Sequence, residues 1–177
     1  IINQLPVPTY HCFEQSLFVT MNPTTPMNWI LSHVLELTYT SWDLEPFAQD
    51  CGFYNPPFQW NEERRFLLTC ELDAAFFHIY LPATPDGNWK HALIDEGSVC
   101  DETPEELTEL MRHVPTPRHA LAYIMDTFPT VRHKDLDKYN GYYRTKRVIL
   151  EIYDEMTDAI RTNKPYQTRL DPPPADL

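Results

Sequence analysis

The chain has 177 residues, the size of one ordinary domain, and a chain of this length can bury about 70% of its unfolded surface. Hydrophobic residues make up 42% and charged residues 23%, which is typical of a folded globular protein and excludes wholesale disorder. The net charge of -12 excludes a uniformly basic nucleic-acid-binding protein, and no apolar run approaches the roughly 18 residues of a membrane span.

The first half of the chain predicts three helices. Residues 1–24 contain three prolines and little periodicity, so we expect an extended lead-in lying over the body. Thr25 before Pro26 predicts a helix to about residue 38, and Ser41 predicts a short helix to about residue 51. Asn61 before two glutamates predicts a helix over 62–80. Because that helix is apolar on nearly all sides, it is predicted to be central and buried.

The second half predicts an irregular excursion followed by three more helices. Residues 82–101 contain a turn at 85–87 and are expected to form at most one small hairpin around Trp89. A capping box at Thr103 predicts a helix to about residue 113, and Thr116 predicts one to about residue 128. Residues 131–141 are charged and are predicted to end in a turn at 140–141. A single apolar stripe predicts a last helix over 143–162, with Ile149, Ile152, Tyr153, Met156 and Ile160 facing inward.

The fold class follows from these elements. We expect a mainly α single domain of about five to six helices over residues 25–164, with the lead-in at 1–24 and a proline-rich tail at 165–177. Both ends of the chain look cut, so the sequence is expected to be a piece of a longer protein.

Cysteine and glycine usage argues against a metal or cofactor site in this chain. The cysteines are far apart and form no C-x-x-C pair, so no structural zinc site is predicted, and free thiols fit the reducing cytoplasm. The 4 glycines are not clustered, so there is no glycine-rich loop for a phosphate or a dinucleotide.

Basic residues are concentrated in one region. Residues 1–131 hold 5 basic and 18 acidic groups, whereas residues 132–169 hold 9 basic and 6 acidic groups. Several of the cations open the last helix, where they oppose the helix dipole. They either contact DNA phosphates beside the neighbouring tyrosines or pair with acids of the same chain. The predicted DNA-contact residues are Arg132, Lys134, Arg144, Lys146 and Arg147.

Two further patterns carry candidate chemistry. Glu71 and Asp73 stand two apart on the central helix, so they point to different faces, and a structural role is expected: pairing with an arginine or capping a neighbouring helix.

Residues 55–58 (NPPF) resemble the catalytic loop of adenine-specific DNA methyltransferases. Without a cofactor loop or an alternating strand–helix pattern, we expect a proline turn that packs Phe58.

A wider resemblance covers most of the chain. Seven segments resemble the C-terminal region of large adenine-specific DNA methyltransferases from restriction–modification and phage-defence systems: residues 2–8 (INQLPVP), 35–40 (LELTYT), 62–65 (EERR), 70–78 (CELDAAFFH), 123–129 (YIMDTFP), 143–147 (YRTKR) with the helix after it, and 165–174 (PYQTRLDPPP).

The resemblance implies a non-catalytic helical module that helps to position duplex DNA or the target-recognition region. In such proteins the catalytic and S-adenosylmethionine-binding loops lie upstream, so the cofactor is expected for the parent protein and not for this chain. The alternative is a docking module that packs on the methyltransferase core or another defence subunit without touching DNA. Its surface would be rich in aromatic residues, drawn from Trp29, Trp42, Trp60 and Trp89.

Overall fold

The structure is a computed structural model that describes residues 25–81, 83–89 and 104–175, and only the backbone at residues 104, 106, 107 and 110. The described residues are mainly helical, which confirms the predicted fold class. They form, in chain order, α1 (Pro26–Thr38), a 3₁₀ turn (Trp42–Leu44), α2 (Glu45–Asp50), α3 (Glu62–Tyr80), α4 (Pro104–His113), α5 (Pro117–Thr127), α6 (Pro129–Lys138) and α7 (Arg144–Thr162).

Three of the predicted helix starts are confirmed by their caps. The Thr25 hydroxyl accepts a hydrogen bond from the Asn28 backbone N–H at 3.2 Å, at the start of α1. The Asn61 side chain accepts from Arg64 N–H at 3.0 Å, at the start of α3. The Thr116 hydroxyl caps α5 in the same way. Each cap satisfies a backbone donor that the first helical turn leaves unpaired. The capping box predicted at Thr103 lies outside the described residues.

Residues 131–141 differ from the prediction, because most of them belong to helix α6. Pro129 ends α5, but it also serves as the first residue of α6, a position where its missing N–H costs no hydrogen bond. The turn at 140–141 is confirmed by positive φ angles of 51° at Asn140 and 85° at Gly141. The short helix predicted from residue 42 is likewise divided into the 3₁₀ turn and α2, with Pro46 in the first turn of α2.

Helix α3 lies at the centre of the domain, as predicted, and packs against α1 on one side and α7 on the other. The inward stripe of α7 meets it through buried Ile149, Ile152 and Met156. Helices α5 and α6 pack on α7 and on each other. A second, smaller core joins the end of α1 to α2 and the following loop. These two cores remove most of the large apolar side chains from water, which is the main force that holds the helices together.

Of the predicted hairpin, the described residues contain one antiparallel bridge between Ala83 and Trp89, closed by a turn at Gly87 with a φ of 79°. The Trp89 indole N–H donates to the Val114 carbonyl at 2.9 Å and ties this segment to the end of α4. Residues 90–94 of the predicted hairpin lie outside the described part of the chain. None of the described helices combines the length and the apolar character needed to cross a membrane.

Residues 165–175, the described part of the predicted tail, fold back onto the helices. Leu170 is buried, and the Arg169 guanidinium pairs with Glu151 at 3.2 Å and Glu155 at 2.5 Å on α7. Arg64 of α3 pairs with Glu36 of α1 and donates to the Pro172 carbonyl at 2.7 Å. The tail therefore joins α1, α3 and α7 at one end of the domain.

Candidate functional site

Four of the five predicted DNA-contact residues line two different cavities, two in each. Arg144 and Lys134 line a cavity of about 600 Å³ between α3 and α6, which we call the α3–α6 cavity. Lys146 and Arg147 line a second cavity of about 360 Å³ beside α5. Arg132 is exposed on α6 and lines neither of these two.

Three of the five cations bind acids of their own chain. Arg144 pairs with Glu63, and the hydrogen bond from Arg144 holds the pKa of Glu63 below its usual range. The Arg144 guanidinium also lies 4.1 Å from the centroid of the Phe66 ring. Lys146 pairs with Asp126 at 2.7 Å. Arg147 pairs with Glu151 at 2.6 Å, one helical turn further along α7. The Arg147 pair lies at the exposed surface, where an ion pair contributes about 0–1 kcal/mol, so Arg147 can exchange its carboxylate for another anion at small cost. Arg144 and Lys146 are half-buried.

Arg132 and Lys134 behave differently, because both are exposed and neither forms an ion pair with a described residue. They lie two residues apart on α6. One turn beyond Lys134, the Lys138 ammonium lies 4.0 Å from a Glu62 carboxylate oxygen. The uncompensated positive charge of this region is therefore centred on α6 and not on the start of α7.

The start of α7 tolerates its cations because α6 supplies a carboxylate there. The Thr145 backbone N–H donates to Asp135 Oδ2 at 2.5 Å, and Asp135 is buried. Tyr143, the residue before the helix, contributes no side-chain cap of its own. A carboxylate at a helix N-terminus is favourable both as a hydrogen-bond acceptor and through the helix dipole. The sequence did not indicate this contact, since it joins residues of two different helices.

Arg118 joins the second cavity and was missed by the sequence analysis. It extends from the first turn of α5 and forms a two-point ion pair with Asp154 of α7, at 2.6 and 2.8 Å. The nearest signal in the sequence was a lone arginine next to a predicted helix start, which does not distinguish a site from an ordinary surface residue.

The α3–α6 cavity also contains an unpaired acid. Asp73 lines it and forms no hydrogen bond or ion pair with the described residues. Burial raises the pKa of Asp73 to about 6, because the ionised form loses water contacts that nothing in the cavity replaces. Nearby Cys70 is buried, and burial raises the pKa of its thiol to about 12, so it is not a nucleophile at neutral pH.

Glu71 has a structural role, but its partners differ from those predicted. Within the described part of the chain, neither an arginine side chain nor a helix N-terminus holds it. Its fully buried carboxylate accepts from His33 Nε2 at 2.9 Å, from the Tyr166 and Thr168 hydroxyls, and from the Arg169 backbone N–H at 2.7 Å. His33 Nδ1 in turn donates to the Trp29 carbonyl at 2.7 Å. The cluster is therefore a junction between α1, α3 and the tail.

The NPPF segment forms a loop with Phe58 packed, as predicted. The Phe58 ring stacks on Phe53 with centroids 4.9 Å apart, and its backbone N–H donates to the Tyr39 carbonyl at 2.9 Å. Asn55 is exposed at the other end of the loop. This packing accounts for the aromatic residue without any role in base stacking.

The four tryptophans suggested for a docking surface occupy different environments. Trp29 is buried in the core and Trp89 is half-buried, whereas Trp42 is 61% exposed and Trp60 64% exposed. Trp42 is accompanied by three further exposed apolar or aromatic side chains within the next twelve residues: Leu44, Phe47 and Tyr54. We call these four residues the α2 patch.

Comparison with known proteins adds no relative: no protein-family model, no curated protein and no solved structure matches the chain. Among the described residues, no three or more His, Cys, Asp or Glu side chains are grouped closely enough to hold a metal ion.

Proposed function

We propose that this chain is the non-catalytic C-terminal module of an adenine-specific DNA methyltransferase of a restriction–modification or phage-defence system. In this proposal it helps to position duplex DNA, while the parent protein carries the catalytic loop and binds S-adenosylmethionine elsewhere. The chain belongs to the cytoplasm in this proposal, where such an enzyme meets DNA.

The segments that carry the resemblance contact one another in the fold. Residues of segment 62–65 bind segment 35–40: Arg64 pairs with Glu36, and Arg65 donates to the Leu37 carbonyl at 2.8 Å. Glu71, within segment 70–78, accepts hydrogen bonds from segment 165–174. Segments that are distant in sequence thus bond to one another, as expected if the resemblance reflects a shared folded module.

The observation that carries the DNA contact is the pair of exposed cations on α6, Arg132 and Lys134, which no described acid neutralises. Phosphate oxygens are the acceptors that exposed guanidinium and ammonium groups bind in protein–DNA complexes. Arg144, Lys146 and Arg147 would join by exchanging their carboxylate partners for phosphates. Such contacts would orient the duplex without reading its sequence.

A salt titration of duplex binding tests the proposal. Fluorescence anisotropy of a labelled duplex would be followed from low to moderate salt for the chain and for R132E/K134E. We expect the slope of log K against log salt to fall by about 2 in the double variant, since each lost phosphate contact removes about 0.9. The matched control is Lys164→Glu, an exposed cation beyond the opposite end of α7. Equal slopes for both variants would contradict the DNA contact.

A second function is favoured by the α2 patch, whose Trp42 and Tyr54 side chains are 61% and 79% exposed. Its four exposed apolar or aromatic side chains lie within thirteen consecutive residues, and exposed apolar surface often marks a site for another protein. The partner in this proposal is the methyltransferase core of the parent protein, and the interaction needs no DNA.

The docking proposal is tested by adding the catalytic core in trans and measuring its affinity by calorimetry. Replacing Trp42 and Phe47 with serine is expected to weaken binding at least tenfold, because central aromatic contacts contribute about 2 kcal/mol or more each. Tyr123→Ser on α5 is the matched control, since its side chain is also exposed but lies away from the patch. Unchanged affinity of the double variant would exclude this surface.

A further inference from the structure

The α3–α6 cavity has the size and lining of a ligand site. Its volume of about 600 Å³ lies within the range of small-molecule pockets. One wall is a face of α3 that carries Phe66 and Phe77, and Phe128 approaches from the end of α5. Trp60 lies at the mouth, 64% exposed, with the Arg65 guanidinium 3.9 Å from the centroid of one of its rings. Arg144 covers one face of Phe66, as Arg65 covers one face of Trp60, so Phe77 and Phe128 are the lining rings that offer a flat aromatic surface to a planar ligand.

Most charged groups of the cavity are already engaged. Glu63 binds Arg144, Glu62 lies next to Lys138, and Asp135 accepts from the start of α7. Arg65 donates to the Leu37 carbonyl and lies over Trp60. Two lining groups of opposite sign have neither a hydrogen bond nor an ion pair with the described residues: Asp73 on α3 and the exposed Lys134 on α6. A complementary ligand therefore presents hydrogen-bond donors to Asp73 and an anionic group to Lys134.

We propose that this cavity binds a guanine nucleotide, with the base between the aromatic side chains, its N1–H and 2-amino groups donating to the Asp73 carboxylate, and its phosphate facing Lys134. Guanine is the base that fits, because its two N–H donors lie side by side and match the two oxygens of a carboxylate. Adenine places an acceptor nitrogen beside its single amino group, and uracil places carbonyl oxygens on both sides of its N–H.

Asp73 is suited to this role at neutral pH. Although burial raises its pKa to about 6, the carboxyl group is mostly ionised at pH 7.5 and acts as an acceptor. Two charge-assisted hydrogen bonds from the base would replace the water contacts that burial removes.

The nucleotide has two possible sources, a free mononucleotide or an unpaired guanosine within a DNA strand, and the chemistry at Asp73 is the same for both. The inference shares Lys134 with the proposed duplex contact, but its base contact at Asp73 has no part in duplex binding. Loss of duplex binding in R132E/K134E and loss of guanine binding in D73N are therefore separate results.

The first experiment compares bases. The chain is titrated at pH 7.5 with GMP, with IMP, which lacks only the 2-amino group, and with AMP, and binding is followed by calorimetry and by tryptophan fluorescence. We expect GMP to bind about tenfold more tightly than IMP, which loses one charge-assisted hydrogen bond. AMP should bind more weakly still, because its N1 acceptor would face the carboxylate in place of an N–H donor. The fluorescence change should disappear in Trp60→Phe, while the heat of binding remains.

A second arm uses a short single-stranded oligonucleotide with one guanine and the same strand with inosine. Tighter binding of the guanine strand than of GMP assigns the site to DNA, and the reverse assigns it to a free nucleotide. Equal binding of the guanine and inosine strands, together with equal binding of GMP and IMP, overturns the proposal. So does the absence of saturable binding of both GMP and the guanine strand at about 1 mM, the weak end of ordinary ligand affinities.

Two variants test the base contact and the phosphate contact separately. Asp73→Asn keeps the shape of the side chain but removes its charge and one acceptor, and is expected to weaken GMP binding more than tenfold with the helical circular dichroism unchanged. Lys134→Gln is expected to weaken GMP binding and leave guanosine binding unchanged, because only the phosphate contacts it. Lys164→Gln is the charge-matched control. If GMP binds Asp73→Asn as tightly as the original chain, the proposed base contact is wrong.

Discussion

At the scale of single residues, Asp73 shows how packing changes the chemistry of a side chain. It lies in the middle of α3, which packs between α1 and α7. Its helical neighbour Glu71 is fully buried yet receives several hydrogen bonds, whereas Asp73 receives none from the described residues. Burial therefore opposes ionisation of Asp73 and raises its pKa to about 6 from a usual value of 3.8.

This shift predicts that Asp73→Asn stabilises the protein at neutral pH. A raised folded-state pKa means that the acid contributes most to stability when protonated, and that this contribution is lost as pH rises from about 4 to 6. The asparagine does not ionise. The free energy of unfolding of the variant, relative to that of the original chain, should therefore rise by up to about 3 kcal/mol over that interval and remain higher at higher pH. Urea denaturation at pH 4, 5, 6 and 7.5 measures this. A gain that is the same at every pH would show that ionisation of Asp73 is not its cause.

At the scale of the elements, α6 and α7 depend on each other. The first residues of α7 are basic, which is unfavourable at the positive end of a helix dipole. Asp135 of α6 offsets this by accepting from Thr145 N–H, and the same contact anchors a helix that has few apolar residues of its own.

Asp135→Ala should therefore lower the free energy of unfolding by about 1–2 kcal/mol, the usual cost of a lost N-terminal cap. Asp137→Ala on the same helix is the matched control, since Asp137 is exposed and forms no ion pair with the described residues. Chemical denaturation gives both values. If the two variants lose the same amount, the cap does not stabilise α7.

At the scale of the whole molecule, Glu71 connects parts of the chain that are far apart in sequence. The partners of this buried carboxylate include His33 on α1 and Tyr166, which is 95 residues away along the chain. The junction acts together with the Arg169 ion pairs and buried Leu170 to hold residues 165–175 against the helices.

Glu71→Ala is expected to lower the free energy of unfolding by about 3 kcal/mol, because removing one member of a buried, charged network leaves its partners unsatisfied. It should also expose the tail to trypsin at Arg169. Glu155→Ala is the control, since that carboxylate is 44% exposed in its pair with Arg169 and should cost less than about 1 kcal/mol. Urea denaturation measures the loss of stability, and limited proteolysis measures cleavage of the tail. If the tail of Glu71→Ala resists trypsin as well as that of the original chain, Glu71 does not hold the tail in place.

The sequence by itself determined the helical fold class and the limits of the long helices. Caps such as Thr25 and Asn61 and the apolar stripe of α7 act within one or two turns, so neighbouring residues contain the whole signal. The sequence did not predict helix α6, because its residues are mostly charged or polar and show no apolar stripe at helical spacing. In the fold this helix packs against α5 and α7.

Only the tertiary structure decided what the polar residues do. It placed four of the five predicted cations in two different cavities and Arg132 in neither, and it joined Asp135 to the start of α7. It also gave Glu71 its partners and left Asp73 without one among the described residues. Electrostatic interactions and burial depend on distances in space between residues that are far apart in the chain. Those distances exist only after the helices have packed, so no local pattern in the sequence could supply them.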